Sequence, residues 1–208
     1  MSFRPTRAVL GQRKASGAWL ARQGRDPYVK SRAQHPASFR SRSAFKLLEV
    51  QDAHGVLTAP WVRTVLDLGA APGGWSQAVA NVFGFGEDAG TEVGIDGHEQ
   101  LLEPSSPSQS DVRTIIALDL LPIQPITGVH TLQADFLSPS TTTALASLLQ
   151  KSNAHVDVLL SDMSGNHTGN RAADVEDTLD LAKAVFVFSR THLAPASSSK
   201  NHPGGTLV

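Results

Sequence analysis

The chain has 208 residues and a mass of 22.1 kDa, with 40% hydrophobic and 18% charged residues. That is long enough for one domain with a core and too apolar for a mainly disordered chain. The absence of cysteine excludes a disulfide scaffold, a thiolate metal site and a cysteine nucleophile, and no other metal-ligating cluster is expected. No apolar run approaches the roughly 18–20 residues that a membrane span requires. The formal charge of −1 averages two unlike parts: residues 1–50 hold 11 Lys and Arg against Asp26 and Glu49, and the rest holds 7 against 17 acids. A basic arm on an acidic body suits a polyanion binder or a targeting segment.

The first 25 residues carry Arg4, Arg7, Arg13, Lys14, Arg22 and Arg25 and no acid. An Arg-rich, Ser-containing, acid-free segment has the composition of an organellar transit peptide, from which a mitochondrial location is expected. Lys30, Arg32, Arg40, Arg42 and Lys46 extend the charge. This suits a nucleic-acid-binding arm, with Arg40, Arg42 and Lys46 meeting phosphates. A solvated basic tail is the third reading, and without a transit peptide the location would be cytoplasmic or nuclear. The division expected is a basic arm over residues 1–42 and a body over 43–208.

In the body, Ser43 to Val50 predicts a short helix capped by Ser43, with Phe45 and Leu48 facing inward. Thr64 to Leu68 is an apolar run ending in Gly69-Ala70-Ala71-Pro72-Gly73-Gly74, and a helix follows from Trp75 to about Val82. Strand, glycine turn and helix form the opening unit of a doubly wound sheet. Residues 84–112 are rich in Gly, Ser, Pro and acids and predict a surface insertion. Strands are then expected over Thr114–Leu120, His130–Asp135 and Val156–Asp162, with a helix over Thr141–Gln150. Asp174 predicts a helix cap, with Val175, Leu179, Ala182 and Phe186 as the inward stripe of a helix ending near His192. Gly204 to Val208 opens a fifth strand in which the chain stops. The expected fold is therefore an α/β parallel sheet, incomplete at its C-terminal end.

Asp67, Asp119, Asp135 and Asp162 close successive apolar runs, which would align four carboxylates along one edge of the sheet. Ligands of open α/β sheets bind outside that edge. Glycines after the first strand let a ligand approach the backbone. The dinucleotide fingerprint needs glycine where Ala71 stands, followed here by Pro72, so a pyrophosphate cradle and a nicotinamide cofactor are disfavoured. A cationic ligand with ribose hydroxyls suits four acids better, and S-adenosylmethionine has both features.

Four segments carry a resemblance: Ser41-Arg42-Ser43-Ala44-Phe45-Lys46-Leu47, Asp67 through Gln77, Asp119-Leu120-Leu121-Pro122 and Ser161-Asp162-Met163. Together they resemble the FtsJ-type ribosomal RNA 2′-O-ribose methyltransferases, from about Trp19 to Val208. The resemblance implies a Rossmann-like methyltransferase fold, S-adenosylmethionine as methyl donor, and ribosomal RNA or the large ribosomal subunit as partner, with a uridine ribose as target and a monomeric enzyme. It also implies that Gly73 and Trp75 meet the methionine part of the cofactor. Asp119 would take its ribose or adenosine side, Asp135 its adenine, and Asp162 would lie beside the methyl group. Asp96 has the generic spacing for the ribose acid, but the family-like Asp-Leu-Leu-Pro assigns that role to Asp119 and leaves Asp96 in the insertion.

A ribose 2′-hydroxyl needs its proton removed or its developing charge stabilised before it attacks carbon. The family uses a Lys-Asp-Lys-Glu arrangement, in which Lys46 matches the first member and Asp162 the second. The third, a proton-accepting lysine just after the Gly-Gly-x-x-Val strand, lies past Val208, and Lys200 precedes Pro203 and is no equivalent. Met163-Ser164-Gly165 also departs from the family's Met-Ala-Pro. The alternative expectation is therefore a catalytically inactive fragment that binds cofactor or RNA.

Overall fold

The structure is a computed structural model that describes residues 38–85, 113–150, 155–165, 169–197 and 202–208. Most of the basic arm, Asp96 with nearly all of the insertion, and Lys200 lie outside the described residues.

Chain order is α1 (Ser43–His54), β1 (Thr64–Leu68), α2 (Gly74–Val82), β2 (Thr114–Asp119), β3 (Val129–Gln133), α3 (Pro139–Gln150), β4 (Val158–Ser161), α4 (Arg171–His192) and β5 (Thr206–Leu207). The strands form one sheet in the order β3-β2-β1-β4-β5, and every neighbouring pair is parallel. The α/β parallel fold read from the sequence is the observed one.

Alternation along β1 explains the layers, because successive residues of a strand face opposite sides. Val65 joins Ala44, Leu47, Ala78, Val79 and Ile115 in a core under α1 and α2. Leu66 and Leu68 join Ile116, Leu118, Leu145, Leu149, Val185 and Phe188 in a second core under α3 and α4. All five β1 residues are buried. A strand covered on both faces has no polar side, hence the continuous apolar run.

Several boundaries differ from the sequence expectation. The folded body starts before residue 43: Phe39 is 2% exposed and meets Phe45 edge to face at 5.5 Å. In α1, Ala44 and Leu47 are fully buried, while Phe45 and Leu48 pack at the core margin. Arg42, not Ser43, occupies the cap position and makes no side-chain cap bond. The helix runs on to His54 and stops at Gly55, whose left-handed backbone (φ 64°) and N–H to the Gln51 carbonyl close its end.

The last helix is rotated from the expected stripe. Its cap is Asn170, which accepts from Ala172 N, and Asp174 sits in the first turn. Val185, Phe188 and Ser189 are buried, whereas Val175, Leu179 and Phe186 are each more than half exposed. The helix carries apolar residues around most of its circumference, so spacing alone could not select the face. Phe188 decides it, by stacking on His192 and meeting Phe136 at 5.6 Å.

Candidate active site

Strand order reverses at β1, since the chain moves outward to β2 and β3 and then returns to β4 on the other side. Such a switch point opens a crevice at the carboxyl ends of the strands. The register places Leu68 between Leu118 and Ser161, so Asp119 and Asp162 flank the glycine turn from either side. Asp135 lies beyond the end of β3, one strand further out than Asp119.

The carboxylates do different work. Asp119 holds the turn: Oδ2 accepts from Ala71 N and Oδ1 from Leu121 N, both at 2.8 Å. Asp135 is exposed and accepts from Leu137 N at 2.9 Å in a local turn. Asp162 is also exposed, next to Met163, which packs against Gly69. Asp67 does not belong to the rim. It lies inside β1, 1% exposed, under α2, and accepts a 2.6 Å hydrogen bond from Ser76 Oγ. Burial pushes its pKa up to about 7, against the opposing pull of the Ser76 hydrogen bonds, and the charges of Asp162 and Asp119 add to the rise. The expected row of four exposed acids is therefore three acids over one buried acid.

The glycines also answer to the protein's own packing. A methyl group on Gly69 would lie 2.6 Å from Met163 Cγ, and one on Gly73 would lie 2.8 Å from Ile126 Cδ1. At Gly74 it would collide with Ser41 Oγ. Gly73 additionally has φ +106°, which favours glycine. These contacts bring the end of β4, the β2–β3 loop and the start of α1 onto one turn.

Trp75 has its indole N–H committed, donating at 2.7 Å to the Ser43 carbonyl and tying α2 to α1. Lys46 and Arg42 are exposed near the start of α1. Arg40 behaves otherwise than expected of a phosphate contact: its guanidinium donates to the carbonyls of Gln124 (2.6 Å) and Pro125 (2.7 Å). The sequence reading missed Ser76, Gln77 and this loop. It also missed Leu120 and Leu121, which are 65% and 63% exposed between the acids. In the sequence Leu120 continues the apolar run of the strand, so its exposure left no local signal.

Among the described residues no group of His, Asp and Glu could hold a metal ion, and no helix is long and apolar enough to cross a membrane.

A parallel sheet with a glycine turn and acids at its switch point defines a doubly wound α/β domain with a crevice at its carboxyl edge. The model of FtsJ-like methyltransferases matches residues 39–202, and the chain belongs to that family. It is 36% identical to the ribosomal RNA large subunit methyltransferase E of Paraburkholderia xenovorans, over 89% of this chain and 76% of that protein. Identity to the protein of the same name from Rickettsia akari is 38%, over 88% and 68%. For Rhodopseudomonas palustris it is 36%, over 99% and 72%. A solved ribosomal RNA methyltransferase from Plasmodium falciparum shares the fold, with a TM-score of 0.54 at 20% identity over 78% of this chain and 82% of that one.

Proposed function

We propose that this chain is an S-adenosylmethionine-dependent methyltransferase that acts on a ribose 2′-hydroxyl of large-subunit ribosomal RNA, with a uridine as target. The observation that carries this reading is the pair Asp119 and Asp162 on either side of the glycine turn, within a family of methyltransferases. The donor set fits the cofactor. An ionised carboxylate has about four lone-pair sites, so Asp119 can accept ribose hydroxyls beside its two backbone N–H groups. Leu120 and Leu121 offer an apolar surface to a flat base, with Asp135 beyond them. A pyrophosphate would meet repulsion from the same acids.

The cofactor, when bound, supplies an activated methyl group. The residues bind, orient and neutralise. Asp162 would lie beside the cationic end of a bound cofactor, and Lys46 would favour the developing oxyanion of the ribose, whose hydroxyl proton passes to solvent water. In-line transfer at carbon depends chiefly on alignment of hydroxyl, carbon and leaving sulfur. Arg42 and Lys46 are exposed and suit the phosphates of the RNA. A mitochondrial site of action is part of the proposal. It rests on the acid-free, Arg-rich first 25 residues alone, since the relatives named above are bacterial.

The test is methyl transfer from labelled S-adenosylmethionine to large-subunit ribosomal RNA, followed by nuclease digestion and identification of the methylated nucleoside. Transfer to a ribose that is lost in Lys46→Ala and Asp162→Ala is expected. Transfer to a base, or transfer unaffected by both substitutions, overturns the proposal.

A further inference from the structure

The β2–β3 loop runs from Leu120 to Gly128 and lies against the glycine turn: Ile123 and Ile126 both approach the position a Gly73 side chain would take. Arg40 spans this junction. Its backbone N–H donates to Gln77 Oε1 on α2 at 2.9 Å, and its Nη1 and Nη2 donate to the successive carbonyls of Gln124 and Pro125. Nη1 also stands 3.4 Å from the methyl position at Gly73. One residue therefore grips α2 with its backbone and the loop with its side chain, and the turn lies between them. The planar guanidinium fork presents two fixed donors to two neighbouring acceptors, a geometry that the compact ammonium of lysine lacks. Charged donors also make stronger hydrogen bonds than neutral ones.

We infer that Arg40 is a positioning residue that latches the β2–β3 loop onto the glycine turn and so shapes the cofactor pocket, rather than a phosphate contact for RNA. The inference rests on the proposed reading of the site as one for S-adenosylmethionine. Asp119 makes the link direct, because its carboxylate holds Ala71 of the turn and Leu121 at the root of the same loop. A latch on one side of the pocket is coupled to occupancy by reciprocity: if the closed loop favours the cofactor, the cofactor must favour the closed loop.

The experiment compares the full chain with Arg40→Lys, Arg40→Ala and Ile126→Ala in three measurements. These are hydrogen exchange over residues 120–128 with and without S-adenosylmethionine, calorimetric affinity for S-adenosylmethionine, and the salt dependence of RNA affinity. Expected are faster loop exchange in all three variants and affinity weakened roughly tenfold in Arg40→Lys, as for loss of one charge-assisted hydrogen bond. Protection of the loop by the cofactor should be smaller than in the parent, and the RNA salt slope of Arg40→Lys unchanged. Ile126→Ala loosens the loop's seat without touching Arg40 and keeps the test decisive if Arg40→Ala fails to fold. Loop exchange unchanged in Arg40→Lys overturns the latch whether or not the parent chain binds cofactor. Faster exchange with unaltered affinity overturns the positioning role. A salt slope reduced in Arg40→Ala and kept in Arg40→Lys, with an unchanged loop, makes Arg40 a phosphate contact instead. A parent chain that binds no cofactor, with the loop still loosened by Arg40→Lys, overturns the inferred role in shaping a cofactor pocket and the reading of the site, and leaves only the tie between Arg40 and the loop.

Discussion

Ser76 Oγ donates a 2.6 Å hydrogen bond to Asp67, joining the first turn of α2 to the penultimate residue of β1 inside the core. Both residues are essentially inaccessible to water, at 0% and 1% exposure. An acid in this setting resists ionisation, and its pKa rises to about 7.

That shift has a definite sign in stability. Well below pH 4 the Asp67 carboxyl is protonated in the folded and unfolded chains, and it contributes no pH dependence. As pH rises towards 7, the unfolded chain releases the proton while the folded chain retains it, so stability falls. The contribution lost across the window is about 4 kcal/mol, from the free-energy equivalent of a pKa difference. Asp67→Asn should flatten the melting temperature between pH 4 and 7, relative to the parent. A parent chain whose stability rises steadily across that window, with Asp67→Asn following it in parallel, contradicts the assignment.

Asp119 and Asp162 should separate under mutation. Asp119→Ala removes the acceptor of two backbone N–H groups, so it should lower the melting temperature and weaken S-adenosylmethionine binding. Asp162 is exposed, and Asp162→Ala should weaken binding by about 1–3 kcal/mol with little change in melting. Calorimetry and thermal scans on the same samples decide this. Unchanged affinity in both variants removes the site assignment.

Gly73→Ala should destabilise the chain by about 1–3 kcal/mol, the usual range for a non-glycine residue held in sparsely populated backbone space. The double variant Gly73→Ala with Ile126→Ala should recover only part of the loss. It removes the 2.8 Å clash and leaves the backbone at φ +106°. Full recovery in denaturant titrations would mean that sterics alone require the glycine.

RNA affinity should depend on salt through the exposed cations at the start of α1. Substituting Arg42 and Lys46 by alanine should reduce the slope of log affinity against log salt by about 1 for each phosphate that is no longer neutralised. A slope identical to that of the parent would assign these residues to something other than RNA.

Strands were legible because buried parallel strands are continuous apolar runs, and Thr64–Leu68 and Thr114–Asp119 differ little from the sequence reading. Asp119 and Asp162 were legible as strand-end acids for the same reason. Asp67 looked identical to them in sequence. Its burial depends on the strand continuing one residue further and on α2 lying overhead, neither of which a local pattern shows. The face of α4 was misread because apolar residues occur around most of the helix, and the contact between Phe188 and Phe136 marks the buried side. Arg40 read as one cation among many; its partners Gln124 and Pro125 are carbonyls, which leave no mark on side-chain composition.

The strand order also bears on how the chain reaches this structure. Thr64 and Asp157, joined by a 2.8 Å hydrogen bond at the amino ends of β1 and β4, stand 93 positions apart. By contrast, β2 and β3 pair through residues as close in sequence as Ile115 and Val129. Distant pairings form slowly, because loop closure must precede any reward from contact. The β2–β3 pair closes a short loop, whereas the pairing of β1 with β4 closes a loop of most of the described body. The pairing of β1 with β4, which borders the crevice, therefore carries the largest loop-closure cost of the sheet.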